Sequence, residues 1–250
     1  MPGIAMSSPA PQLFDRPRIA RHLQAHPPAP DNFVMQRILE DLALRLGATT
    51  HTFDKAALLS PVTAPLPDTI GRPGAPVRLA PFSTLVPHAN QPRVNPDALK
   101  LPETDYSLIV SLFDLAILDD VPGFLRQIRH HLAPDGLFLA AFVGGTSFQE
   151  LRAAWLEADA RHLGGAVARI PPFIETKDAG SLLQRAGFAL PVTDKDTMTL
   201  RYRSAAHLMH EIRAMGAAGV LAKRPPVPVS PAHLKTVEEI YARNFSDPDQ

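Results

Sequence analysis

Two apolar runs dominate the pattern of this chain: residues 106–112 (YSLIVSL) and 137–143 (LFLAAFV). Neither alternates with polar positions, which is the signature of strands buried on both faces. Between them, Asp119-Asp120-Val121-Pro122 opens a helix with Phe124, Leu125, Ile128 and Leu132 on one side, and Ala133-Pro134-Asp135-Gly136 reads as a turn. Strand, helix and strand in about 40 residues make a βαβ unit with a right-handed crossover. Upstream, Phe33, Val34, Ile38, Leu42 and Leu46 recur at helical spacing, with Asp31 offering an N-cap and Gly47 a stop. Short strands are expected at 56–59 and 77–79, and a helix broken near Pro17 at 13–26. Downstream, helices are expected at 146–163, at 177–186 capped by Thr176, at 205–215 capped by Ser204, and at 232–244. Residues 188–192 and 197–202 read as two strands joined by Thr193-Asp194-Lys195-Asp196, a spacing that favours an antiparallel hairpin. The class is α/β with a mostly parallel sheet.

Proline changes the picture of the first half. Of 27 prolines, nine fall between Pro61 and Pro96, where they leave room for short strands and loops but not for long helices. The division expected is a flexible tail at 1–12 and one domain at 13–250, irregular over 13–104 and well formed over 105–250. Charge excludes more than it suggests. Twenty-five basic residues balance 25 acidic ones, so no net field points to nucleic acid or to an anionic membrane. The absence of cysteine removes disulfides, thiolate metal sites and cysteine nucleophiles. No apolar run reaches the length of a membrane span, and the start lacks the apolar core of a secretory signal. A cytoplasmic protein, or one of the mitochondrial matrix, is expected.

A parallel sheet ending in an antiparallel hairpin resembles the class I S-adenosylmethionine (SAM) methyltransferase fold, which is Rossmann-like. Several words sharpen the resemblance: Leu13-Phe14-Asp15-Arg16, Phe124-Leu125-Arg126-Gln127-Ile128 leading to Leu132-Ala133-Pro134-Asp135-Gly136, Gly144-Gly145-Thr146 leading to Glu150-Leu151-Arg152, Leu182-Leu183-Gln184-Arg185-Ala186-Gly187-Phe188, and Arg213-Ala214-Met215-Gly216. Together they resemble the branch that contains the malonyl-carrier-protein methyltransferase of biotin synthesis and the arginine hydroxylase that assists respiratory complex I assembly. The likeness runs from about 13 to 248. The resemblance implies that such relatives continue past Asp247-Pro248-Asp249, which leads to the expectation that a sheet edge or substrate cover is left for an oligomer contact to complete.

The resemblance also says where SAM would lie, and there the residues depart from the pattern. The loop after the first strand should be rich in glycine so that backbone can approach the ligand. This chain has Leu59-Ser60-Pro61-Val62-Thr63 and no glycine between Gly47 and Gly71. An acid should end the second strand and hold the ribose; Leu79-Ala80-Pro81 has none. Losing that charge-assisted bond removes about 1.5–3 kcal/mol, at about 1.4 kcal/mol per tenfold of affinity. Near the adenine position stand Asn95 and Asp97. If SAM bound, Leu59, Ser60, Thr63, Ala80, Asn95, Asp97 and Ser111 would surround it. The His-Trp pair that relatives carry after the fourth strand is Ala116-Ile117 here, so a general base is missing. Asp114 is the one weak catalytic candidate, and a solvated or capping aspartate is its plainer reading.

The remaining candidates weigh toward structure. Asp119 and Asp120 fit a helix start better than a metal pair. His207 and His210 read as surface histidines, His130-His131 as a helix C-terminus, and Ser60 and Ser111 lack a nucleophile elbow. Gly144-Gly145 reads as a substrate-side loop rather than an anion cradle, and Arg201 and Arg203 as a solvated strand face rather than a nucleic-acid platform. The expectation is therefore a pseudoenzyme with no cofactor and no metal, using a protein partner, with self-association as a further expectation. The alternatives are an active SAM-dependent methyltransferase or protein-arginine hydroxylase with an atypical loop, and a binder of another small ligand in the same cleft.

Overall fold

The computed structural model describes residues 12–26, 32–61, 66–72, 74–87, 91–214, 217, 219–223 and 228–246. Thr63, Asp31 and the tail at 1–11 lie outside them. Five strands form one sheet in the order β2-β3-β1-β4-β5. They are β1 (Ala56–Ser60), β2 (Thr69–Arg72), β3 (Ala75–Ser83), β4 (Tyr106–Leu112) and β5 (Leu132–Ala141). Pairing is parallel except for β2, which runs antiparallel to β3 at one edge. Of the two apolar runs, 106–112 is the central strand β4, with Leu108, Ile109, Val110 and Leu112 fully buried, whereas 137–143 falls largely in β5 at the sheet edge and is half-buried rather than buried on both faces; β1, also central, is buried at every residue.

One face of the sheet packs under α3 (Val121–His131) and α5 (Thr176–Arg185), where Ala57, Leu59, Phe82, Ile109, Phe124 and Ile128 form a common core. The other packs under α2 (Phe33–Gly47), through Leu42, Leu46, Leu58, Leu108 and Val110. A third cluster closes the carboxyl end of the sheet. There α1 (Arg16–Ala25) sets Ile19 and Leu23 against Leu85, Val86, Val220 and Leu221. The N-terminal segment is stitched in place by a Phe14–Leu221 bridge and by Asp119, which accepts from the backbone of Leu13 and Phe14 at 2.7 and 3.0 Å. A fourth cluster joins α4 (Gln149–Leu163), α6 (Ala205–Ala214) and α7 (Pro231–Phe245).

Several expectations change. Among the described residues 188–202 form no strand, so the expected C-terminal hairpin is not found and the antiparallel strand sits at the opposite edge. β2 went unread because its four residues contain Gly71 and carry no clear alternation. β3 runs on to Ser83, well past the expected end at 79; Pro76 stands opposite Gly71 of β2 and Pro81 opposite Leu58 of β1, each at a position where β3 has a neighbour on one side only. The Ala133–Gly136 turn is absorbed into β5 as a bulge, since Tyr106 faces Leu132 while Leu108 already faces Leu137. A Cβ on Gly136 would lie 2.6 Å from the Tyr106 carbonyl, which is why that position is glycine. Asn32 caps α2, its side chain accepting from Met35, and Thr176 is the first helical residue of α5 rather than its cap. Pro17 stands in the first turn of α1, where a missing donor does no harm, so the helix is not broken.

Candidate functional site

The carboxyl ends of β1, β3 and β4 are where an open α/β sheet places its ligand. Here they meet in a closed polar cluster. Phe113, in a left-handed conformation (φ 67°), turns the chain sharply after β4 and directs Asp114 inward. Asp114 is 1% exposed. Ser111 donates to its Oδ2 at 2.6 Å and Thr84 to its Oδ1 at 2.5 Å. Burial pushes its carboxyl up to about 6, against the opposing pull of the two hydroxyl bonds and of Arg16. Asp114 is thus neither solvated nor a cap; it ties β3 to β4.

The neighbours are equally enclosed. Leu59, Ser60, Ser83, Thr84 and Ser111 are 0–1% exposed. The Thr84 amide donates to the Ser60 carbonyl at 3.0 Å, and the Ser83 hydroxyl accepts from Val86 at 3.0 Å. Phe82 fills the space beside Leu59. Arg16 crosses the rim, donating to the Thr84 carbonyl at 3.0 Å and pairing with Asp97 at 2.8 Å. Asp97 is exposed, but its carboxylate is engaged, and the Asn95 side chain accepts from the Asp97 amide at 3.1 Å instead of facing a ligand. Ala80 lies in mid-strand opposite Ala57, away from the strand end. The sheet therefore brings together Leu59, Ser60, Ser111 and Asp114, and leaves Ala80, Asn95 and Asp97 apart. Reading by spacing missed Ser83, Thr84 and Arg16. The signal available was a polar Ser-Thr pair directly after an apolar strand.

Tested against SAM, these residues do not fit. By the resemblance the ligand needs glycine backbone, a ribose carboxylate and open space; the strand ends offer buried hydroxyls, those of Thr84 and Ser111 donating to Asp114 and that of Ser83 accepting from the Val86 amide, with Arg16 of α1 across the rim. A large cleft of ≈ 2100 Å³ opens beside them, touching Pro61, Phe113 and Ala116 but running mainly along β5, α2 and residues 192–204. The Gly144-Gly145 loop borders it. A Cβ on Gly144 would lie 2.9 Å from the Ile174 carbonyl, and Gly145 donates to that same carbonyl at 2.9 Å, so close packing accounts for the pair. Among the described residues no cluster of three metal-type ligands exists, and no helix is long and apolar enough to cross a membrane. Asp120 caps α3. His131 is buried, with Nε2 3.2 Å from the Leu99 carbonyl, a packing role beyond the helix dipole.

A second charged cluster lies between α4 and α7. Asp159, fully buried, is gripped by Arg169 through bonds of 2.6–3.0 Å. His233 Nε2 lies 3.0 Å from the same carboxylate, His162 stacks on His233 at 4.5 Å, and Arg169 covers the Trp155 ring at 4.2 Å.

No family model matches the chain. It is 33% identical over 152 residues to a malonyl-[acyl-carrier protein] O-methyltransferase of Halorhodospira halophila, covering 61% of this chain and 50% of that protein. It is 36% identical over 130 residues to the protein of the same name from Xylella fastidiosa, covering 51% and 42%. It is 37% identical over 118 residues to the mitochondrial arginine-hydroxylase NDUFAF5 of Rattus norvegicus, covering 47% and 34%. The chain thus spans between a third and a half of the length of these relatives.

Proposed function

We propose that this member of the class I SAM methyltransferase-like proteins does not use SAM in the usual way and acts as a partner-binding protein, in assembly or maturation of a larger complex. The observation behind this reading is the closed cluster at the strand ends. Ser60, Ser83, Thr84, Ser111 and Asp114 are all buried, Thr84 and Ser111 donate to Asp114, and Arg16 of α1 bonds the Thr84 carbonyl at the rim, so that a nucleoside would have to break a buried network to enter. The names of the relatives supply the biological direction: one group is an O-methyltransferase for a malonyl group held on acyl-carrier protein, and the other is an arginine-hydroxylase. The wide apolar cleft along β5 is the surface available for such a partner.

Calorimetric titration with SAM and with S-adenosylhomocysteine tests the reading. No binding below the millimolar range is expected for either. Submillimolar binding of one of them overturns it in favour of an active methyltransferase or protein-arginine hydroxylase with an atypical loop.

A further inference from the structure

Helix α1 carries positive charge that the helix itself does not explain. Its first turn, where the helix dipole favours acids, holds Arg16 and Arg18 and no acidic residue. Arg16 is accounted for by Asp97 and the Thr84 carbonyl. Arg18 and Arg21 are not: among the described residues no carboxylate pairs with either guanidinium, and their Nε groups donate only to His22 and to the Pro17 carbonyl, each at 3.4 Å. Arg18, Arg21, His22, Ala25 and His26 follow one another at helical spacing and line a concavity of ≈ 350 Å³. That is at the lower end of the range for small-ligand sites. The Arg18 guanidinium lies over Gly219, where a Cβ would come within 3.2 Å of it, and Arg18 and Arg213 of α6 also border the large cleft. With 25 basic and 25 acidic residues the chain has no net charge, so this cluster is a local concentration.

His22 stands at the centre of the cluster. Arg18 Nε donates to its Nε2, which sets the neutral ring with its proton on Nδ1. That Nδ1 is buried and meets no acceptor, a deficit that buried polar groups rarely carry. Burial lowers the His22 pKa from its usual 6.5, and the positive charges of Arg18, His26, Arg213 and Arg21 lower it further; among the described residues no carboxylate counters them there. Four cationic side chains around one imidazole repel one another until a ligand of opposite charge joins them. The donors converge within little more than two helical turns. Such a cluster suits a compact group with several acceptor oxygens better than an extended acidic chain.

We propose that the outer face of α1 binds a phosphate dianion, with Arg18, Arg21 and His22 as its direct donors and His26 and Arg213 adding charge, and that the rest of a phosphorylated small molecule lies in the large cleft that Arg18 also borders. On binding, His22 takes up a proton from solvent on Nε2, and the Arg18 Nε–H turns from the ring to a phosphate oxygen. The site belongs to α1 and stands whether or not SAM binds at the strand ends.

Inorganic phosphate, sulfate and phenyl phosphate are titrated into the full chain while the histidine ring nitrogens are followed by NMR, the His22 signals being assigned by their loss in His22→Gln. Phosphate should shift the His22 ring saturably toward its doubly protonated form. The affinity for sulfate, whose charge is constant, should tighten as pH falls from 8 to 6. Arg18→Gln combined with Arg21→Gln should weaken phosphate binding at least about tenfold, the effect of losing hydrogen bonds to a charged group. Arg243→Gln, at an exposed arginine of α7, should leave it unchanged. Phenyl phosphate should bind more tightly than phosphate. A His22 ring that does not respond overturns the site, whether or not the double variant folds. Equal weakening in Arg243→Gln overturns it as well, since it reduces the effect to general screening. Phenyl phosphate no tighter than phosphate overturns the extension into the cleft. A hexaglutamate peptide that shifts His22 when phosphate does not overturns the small anion in favour of an acidic protein segment.

Discussion

Asp114 sets the pH behaviour of the strand-end cluster. Its carboxyl titrates near 6 in the folded chain and near 3.8 when exposed, because burial disfavours the ionised form. The stability this contributes is complete below pH 3.8 and is lost as pH rises through 6. At about 1.4 kcal/mol for each pH unit between the two values, the loss is about 3 kcal/mol. Urea unfolding between pH 4 and pH 8 should show this decline in the unmodified chain, and Asp114→Asn should remove it. A D114N profile parallel to the unmodified one would mean that the buried carboxyl is not the group responsible. Asp114→Ala should instead be less stable at every pH, by about 2–3 kcal/mol, because it leaves the Ser111 and Thr84 hydroxyls buried without their acceptor. Sequence alone placed Asp114 correctly at the end of β4. It could not show Thr84 closing over it, since Thr84 comes from a strand 30 residues earlier in the chain.

Between elements, the joint of α4 and α7 carries the opposite sign. Burial lowers the His233 pKa from its usual 6.5, and His162 and Arg169 lower it further against the attraction of Asp159. A depressed histidine contributes stability that is present above pH 6.5 and lost as pH falls through the folded value. The single tryptophan, Trp155, meets the His233 ring edge-on at 5.6 Å and reports on the joint directly. Its emission should change on acidification below pH 6.5 while the sheet remains folded, and His233→Gln should abolish that transition. Arg169→Met should destabilise the joint by about 3–5 kcal/mol, because it strands the buried Asp159 carboxylate; a loss below 1 kcal/mol would show that water reaches the carboxylate. None of this cluster was legible beforehand. Asp159, Arg169 and His233 share no spacing motif and meet through the packing of α4 against α7, whereas α3 was legible from its apolar helical period and β4 and β5 from their continuous apolar runs.

At the scale of the molecule, the parallel strands were readable, the edge strand β5 among them, but what lies beyond them at each side of the sheet was not. Interior strands are specified by continuous apolar runs, but edge strands have one solvated side and a weak signal. Thus β2 was missed, and 188–202 was assigned a pairing that its own alternation permits but that the ion pairs to α2 oppose. The open β5 edge has a consequence in solution. With 25 basic and 25 acidic residues the chain has no net charge to keep copies apart near neutral pH. An uncovered sheet edge beside exposed Leu190 and Val192 then favours pairing between copies. Sedimentation velocity should show association that rises with concentration near pH 7 and weakens at pH 9, where net charge is restored. If association persists undiminished at pH 9, net charge is not what separates copies, and the exposed Phe33 and Leu44 of α2 become the surface to vary next.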